Sequence, residues 1–318
     1  MRKGSAIALA MKFMLQPLRA MLALLAACLA SSAPAQQIPA IPAPAAAAAP
    51  LPTLRPALWK VADADTTIYL FGTIHLLPQG LDWLGGSLAD AVGSADELVT
   101  EIPEVGDSTV QASLLNRAIL PKGTSLRGLL SAPERAKLET TLTRFNLPLD
   151  SFDSYKPWYA AVVLATVPLM REGFAIGNGV ESALAERTKA RGRPRLALET
   201  IDYQLALFDG LPPSVQRRYL GQVIDALPTL RRDVDEIVSE WGEGDAARLA
   251  ELMNAAGDDP EMVAVLLTNR NRIWASWIKT RLASPGTSFV AVGAGHLGGS
   301  GSVQDQLTGL GIVTTRVQ

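Results

Sequence analysis

Two stretches decide the fold: Leu70-Phe71-Gly72-Thr73-Ile74-His75-Leu76 near the start of the chain, and Ala291-Val292-Gly293-Ala294-Gly295-His296-Leu297 near its end. Each begins as an apolar run bounded by glycine, the pattern of a buried strand. Each then reads Gly-x-x-His-Leu. The chain has only two histidines, and both carry a glycine three positions before them. With 26 glycines in 318 residues, chance alone gives that coincidence about once in 150.

Working outward, strands are predicted at 58–61, 67–71, 97–101, 195–198, 288–292 and 312–317, with 195–198 read as buried. Helices are predicted at 84–92 and 179–191, and helical periodicity fills most of the chain between 114 and 283, punctuated by prolines. Strands at both ends with helices between them predict an α/β fold: a mixed, partly parallel β-sheet with a large helical middle region.

The remaining composition sets limits. Apolar residues make up 48% and the formal net charge is −2, which excludes a wholly disordered chain. One cysteine, Cys28, excludes a disulfide scaffold. The slightly acidic balance and the absence of a standout basic run argue against a nucleic-acid partner.

Residues 1–35 read as an export signal. Arg2, Lys3, Lys12 and Arg19 precede a short apolar core, and Ala33-Pro34-Ala35 offers small residues for cleavage. Leu25-Ala26-Ala27-Cys28 resembles a lipobox, so lipidation of Cys28 and membrane attachment stand as the alternative to cleavage after Ala35. Cleavage would remove four basic and no acidic residues, leaving 25 basic against 31 acidic. Residues 36–56, rich in Pro and Ala, read as a stiff linker, and the domain is expected over 57–318. The expected location is the periplasm or cell envelope.

Glycine at the end of a strand permits a tight turn and close backbone approach. A histidine three residues on then falls past the carboxyl edge of the sheet, where open α/β sheets bind ligands. Two imidazoles and one carboxylate make a divalent-metal site with room for water, and the metal would be Mn, Co or Zn. His75 and His296 are the expected ligands, with Glu101 as the carboxylate. Glu181 starts a predicted helix, where an acid also serves the helix dipole. Glu199 ends a strand and needs a partner if buried, such as Arg270. Arg270 is alternatively placed to grip a substrate carboxylate, and Asn271 to stabilise an oxyanion. Trp274 is read as core.

The motif Gly72-Thr73-Ile74-His75-Leu76-Leu77-Pro78, with Val292-Gly293-Ala294-Gly295-His296-Leu297, resembles the TraB/GumN family, related to the Tiki proteins and the erythromycin-esterase/ChaN-like group. Weaker matches are Glu101-Ile102-Pro103, Gly179-Val180-Glu181, Leu198-Glu199-Thr200, Gln204 and Asn269-Arg270-Asn271. The family often has Glu where this chain has Asn269. The resemblance implies a metal-dependent hydrolase of peptide or protein substrates, with Glu101, Glu181, Glu199, Arg270 and Asn271 in the catalytic set. The ChaN-like kinship implies the alternative of a non-enzymatic haem-, metal- or peptide-binding envelope protein.

Overall fold

A computed structural model describes residues 53–75, 77–78, 80–103, 107–172, 174, 179–254 and 259–318. The export segment and most of the linker lie outside the described residues. In chain order the strands are β1 (Leu58–Ala62), β2 (Thr66–Thr73), β3 (Glu97–Thr100), β4 (Arg195–Ala197), β5 (Gly286–Gly293) and β6 (Thr315–Arg316). The helices are α1 (Gly86–Ser94), α2 (Asp107–Ala118), α3 (Leu126–Leu129), α4 (Ala132–Arg144), α5 (Pro157–Arg171), α6 (Val180–Ala190), α7 (Ile201–Asp209), α8 (Pro213–Ala226), α9 (Leu230–Glu243), α10 (Ala246–Asn254), α11 (Pro260–Val263), α12 (Asn269–Arg281) and α13 (Val303–Gly309).

The six strands form one sheet in the order β4-β3-β5-β2-β1-β6. The strands β4, β3, β5 and β2 run parallel, while β1 pairs antiparallel with both β2 and β6. The expected mixed, partly parallel sheet and helical middle are therefore present. The antiparallel pair is joined by a tight turn in which Asp63 accepts the Thr66 amide at 2.9 Å.

Alternation along the central strands sorts their side chains onto two faces. Ile68, Leu70, Val99, Val290 and Val292 pack with Trp274, Ile278, Val303 and Leu307 of α12 and α13. Phe71, Leu98, Phe289 and Ala291 pack on the other face, against α1, α6, α9 and α10. The centre of the sheet is thus covered on both sides, which is why its strands read as continuous apolar runs. A third core, from Ile102 to Leu267, belongs to the helical middle.

Two expectations change. The segment from 195 is the edge of the sheet, not a buried strand: Leu196 is 43% exposed. Three residues, only two of them apolar, carry too little pattern to separate the two cases. The last strand contracts to Thr315 and Arg316, which are in register with Lys60 and Trp59 of β1, while the Val317 amide still donates to the Leu58 carbonyl at 2.8 Å.

Candidate active site

The parallel strands β2, β5, β3 and β4 bring His75, His296, Glu101 and Glu199 to one edge, just past their carboxyl ends. The two histidine loops are neighbours, with Thr73 in register with Gly293. Gly72 suits that contact: a Cβ there would lie 3.0 Å from Ala294 Cα, tighter than ordinary packing. Neither Gly72 nor Gly293 adopts a positive φ. The glycine of the first motif therefore serves close approach rather than turn geometry.

Helix α6 begins against the first loop. The Val180 amide donates to the Ile74 carbonyl at 3.2 Å, and a Cβ on Gly179 would lie 2.3 Å from the His75 carbonyl oxygen. This approach delivers Glu181, whose Oε1 lies 2.6 Å from His75 Nδ1. The Thr73 hydroxyl donates to the same oxygen. Burial pushes the Glu181 carboxyl up, but His75 and the Thr73 hydroxyl outweigh it and hold the group below its ordinary value. Glu181 is therefore an anion that accepts the Nδ1 proton, and whenever the ring is neutral its lone pair is on Nε2. The two side chains are 13% and 10% exposed, at the rim of the buried region.

His296 sits in a different environment and is fully buried. Asn271 Nδ2 donates to the Gly301 carbonyl at 2.7 Å, so its Oδ1 faces His296 Nδ1, 2.5 Å away. That assignment puts the proton on Nδ1. The lone pair on Nε2 then accepts from Arg270 Nη1 at 3.2 Å.

Arg270 organises the rest. It grips Glu199 through Nε and Nη2 at 2.9 and 2.7 Å, reaches Glu101 Oε2 from Nη2 at 2.7 Å, and gives Nη1 to the Leu266 carbonyl at 3.2 Å as well as to His296. All five N–H groups of the guanidinium are engaged. The Leu266 carbonyl comes from a π turn, Ala264–Thr268, immediately before α12, a local departure that recurs at functional sites. Burial depresses the Arg270 charge, but the two carboxylates more than restore it. Gln204 from α7 bridges the same carboxylates, donating to Glu101 Oε2 and Glu199 Oε2 at 2.9 Å each. Glu101 Oε1 accepts the Gly293 amide at 2.7 Å, tying β3 to the second histidine loop.

The sequence-derived residues thus fall into two groups: His75 with Glu181, and His296, Glu101, Glu199, Arg270 and Asn271. Arg270 is the buried partner of Glu199 and holds no donor for a substrate carboxylate. Asn271 uses its amide to orient His296 rather than to face an oxyanion. The residues do not, as arranged, fit a divalent ion held by His75, His296 and Glu101. A guanidinium occupies the lone pair of His296, and its charge opposes a second cation. Among the described residues, no three His, Cys, Asp or Glu side chains converge as a metal group. Two participants were missed. Thr73, inside the first motif, steadies Glu181. Trp274 donates to Glu199 Oε1 at 3.0 Å, stacks 4.7 Å from the Arg270 guanidinium carbon, and has its ring centroid 4.4 Å from that of His296. Its position four residues after Arg270, one helical turn on, is the signal that could have found it.

A family model, described as the TraB/PrgY/gumN family, matches residues 57–316 and so spans both histidine motifs. The chain belongs to the TraB/PrgY/gumN family. It is 24% identical over 252 residues to the uncharacterised Escherichia coli protein YbaP, covering 79% of this chain and 92% of that one. An uncharacterised protein of Treponema pallidum is 22% identical over 277 residues, 78% of each chain. No solved structure matches this TraB/PrgY/gumN chain.

Proposed function

We propose that this protein is an exported hydrolase acting on peptide bonds, with His75 as general base and Glu181 as the carboxylate that fixes its tautomer. The observation that carries the reading is the 2.6 Å contact between His75 Nδ1 and Glu181 Oε1 at the carboxyl edge of the parallel strands. With Nδ1 protonated, Nε2 is the nitrogen through which the neutral ring takes up a proton. In the proposed step Nε2 takes a proton from water as the oxygen adds to the substrate carbonyl. The same proton then goes to the amine as the C–N bond breaks, so the ring returns to its starting state. The buried Arg270 network does not touch the reacting atoms. It holds Glu101 against the second loop and thereby sets the shape of the edge beside His75.

The peptide class rests on the family resemblance. Export rests on the basic start, apolar core and small cleavage residues of 1–35. Among the described residues, no helix is long and apolar enough to cross a membrane.

The test is incubation of the purified protein with a denatured-proteome digest, reading new termini by mass spectrometry. The expected result is cleavage by the wild type, with a loss of about 100-fold or more in His75→Ala. Cleavage at an equal rate by His75→Ala would refute the role of that ring. Ligand retention by the wild type with no turnover would favour the non-enzymatic alternative.

A further inference from the structure

The chain is acidic overall, yet its positive charge is unevenly placed. Between residues 182 and 198 there are five cations, Arg187, Lys189, Arg191, Arg193 and Arg195, against one acid, Glu186. Scattered along the sequence these look like an ordinary helix end and a loop. In the structure they become one strip: the last turn of α6, the connection after it, and the first residue of β4. Arg193 is half-buried and the other four are exposed. Arg191 and Arg193 also serve locally. Their guanidinium groups donate to the Gly93 carbonyl at 2.7 and 2.9 Å, closing the end of α1. Carbonyls do not neutralise them. Among the described residues, Arg187, Lys189, Arg191 and Arg193 form no ion pair.

The placement has a direction. Helix α6 starts with Glu181 in the site and ends in the strip, about 12 Å farther on for the eight residues to Lys189. Strand β4 starts in the strip at Arg195 and leads, about 13 Å later, to Glu199 in the site. Both elements therefore run between the two edges of the sheet. A surface bound by the strip leaves the catalytic edge facing away from it.

We propose that this strip docks the protein on a membrane surface of anionic phospholipid. The proposal rests on the envelope location proposed above for its choice of polyanion, and not on hydrolysis. Charge complementarity supplies the argument: the rest of an acidic chain is repelled by such a surface, so only a local cluster can turn the balance. No aromatic residue interleaves the five cations, so the strip lacks the stacking groups with which single-stranded nucleic acid is held. Each basic residue close to an anionic leaflet is worth roughly a fivefold gain in partitioning.

The experiment is co-sedimentation of the full chain with vesicles of phosphatidylcholine alone and with phosphatidylglycerol added, at low and high salt. The apolar N-terminus carries four cations of its own and also gains from anionic lipid, so the strip is read from its own variant measured against a charge-matched control. Arg187→Glu/Lys189→Glu, at two exposed positions with no ion pair, is expected to lose roughly 20-fold or more of the anionic-vesicle partitioning. A control with the same change in net charge, Lys122→Glu/Arg144→Glu in the helical middle, is expected to keep most of it. His75→Ala, inactive in peptide cleavage, is expected to bind vesicles like the wild type, so the two proposals fail separately. Equal binding to both vesicles, or equal loss in the control, would overturn the assignment. So would binding to RNA or polyphosphate with none to anionic vesicles.

Discussion

Arg270 Nη1 stands 3.2 Å from His296 Nε2, and that contact divides the two histidines of this chain into different chemical roles. His296 is pinned at both nitrogens, by Asn271 and Arg270, and is fully buried. His75 is bound through Nδ1 by an anion, Glu181, and lies at the rim. A group that must exchange protons with a substrate needs the second arrangement. Arg270, in turn, is the only described cation that touches Glu101 and Glu199. Its removal strands two buried carboxylates, so Arg270→Ala is expected to lower stability by about 3–5 kcal/mol. Arg270→Lys keeps the charge but not the five-donor fork, and should recover only part of that loss. Urea unfolding of the three proteins checks both; a lysine variant as stable as wild type would contradict the forked geometry.

The same contact bears on metal dependence. Sharing an ion among His75, His296 and Glu101 requires Arg270 to leave His296. The expected result of elemental analysis and calorimetry with Mn, Co and Zn is that no stoichiometric ion binds through His296. Peptide cleavage, where present, should then persist after dialysis against a chelator. One tightly bound ion per chain, lost in both His75→Ala and His296→Ala, would reverse this conclusion and restore the three-residue site read from the sequence.

Gly179 makes a third test, because its need is steric and local. Its φ of −66° is open to any residue. The obstacle is the His75 carbonyl, 2.3 Å from where a Cβ would stand. Backbone cannot yield as a side-chain tip does, so Gly179→Ala should push the start of α6 away and carry Glu181 off His75. Overpacking of this kind costs about 1–3 kcal/mol. The distinguishing readout is activity: a fall in kcat larger than that of an equally destabilised variant remote from the site. Unchanged activity would mean that the α6 start is free to shift without disturbing the pair.

Much of this architecture was legible because the sheet is buried on both faces. The apolar runs through Leu70-Phe71 and Ala291-Val292 announce central strands, and the glycine before each histidine announces where they end. The pairing of Glu199 with Arg270 was also foreseeable, since a buried acid needs a cation. The assignment of partners at the edge was not. Both His75 and His296 follow a Gly-x-x pattern, yet one meets an acid delivered by α6 and the other meets an amide and a guanidinium from α12. Sequence spacing places a residue at the edge, but the entry angle of a helix decides what it touches there. The π turn before Asn269 and the approach allowed by Gly179 set those angles, and neither has a composition signal. Trp274 is core, as its sequence context shows, but its hydrogen bond to Glu199 follows from its position one turn after Arg270, which burial alone does not reveal.

The pH dependence of stability isolates Glu181. Its carboxyl is held below its ordinary value near 4.5, because His75 and Thr73 outweigh the burial that opposes ionisation. A group with a depressed pKa in the folded state contributes stability that is fully present above its unfolded value. That stability is lost as pH falls through the folded-state value. The stability difference between wild type and Glu181→Gln should therefore shrink as pH falls below about 4.5 and lose its pH-dependent part once Glu181 protonates in the fold. Thr73→Val removes one hydrogen bond to the anion and leaves the strand otherwise intact. Its effect should be to raise the folded-state pKa of Glu181, narrowing the window and bringing the acid loss to higher pH. Unfolding by urea at intervals between pH 3 and 6 on the three proteins provides the measurement. A Glu181→Gln curve parallel to wild type across that range would mean that Glu181 is not an anion in the folded protein, and the tautomer assigned to His75 would fall with it.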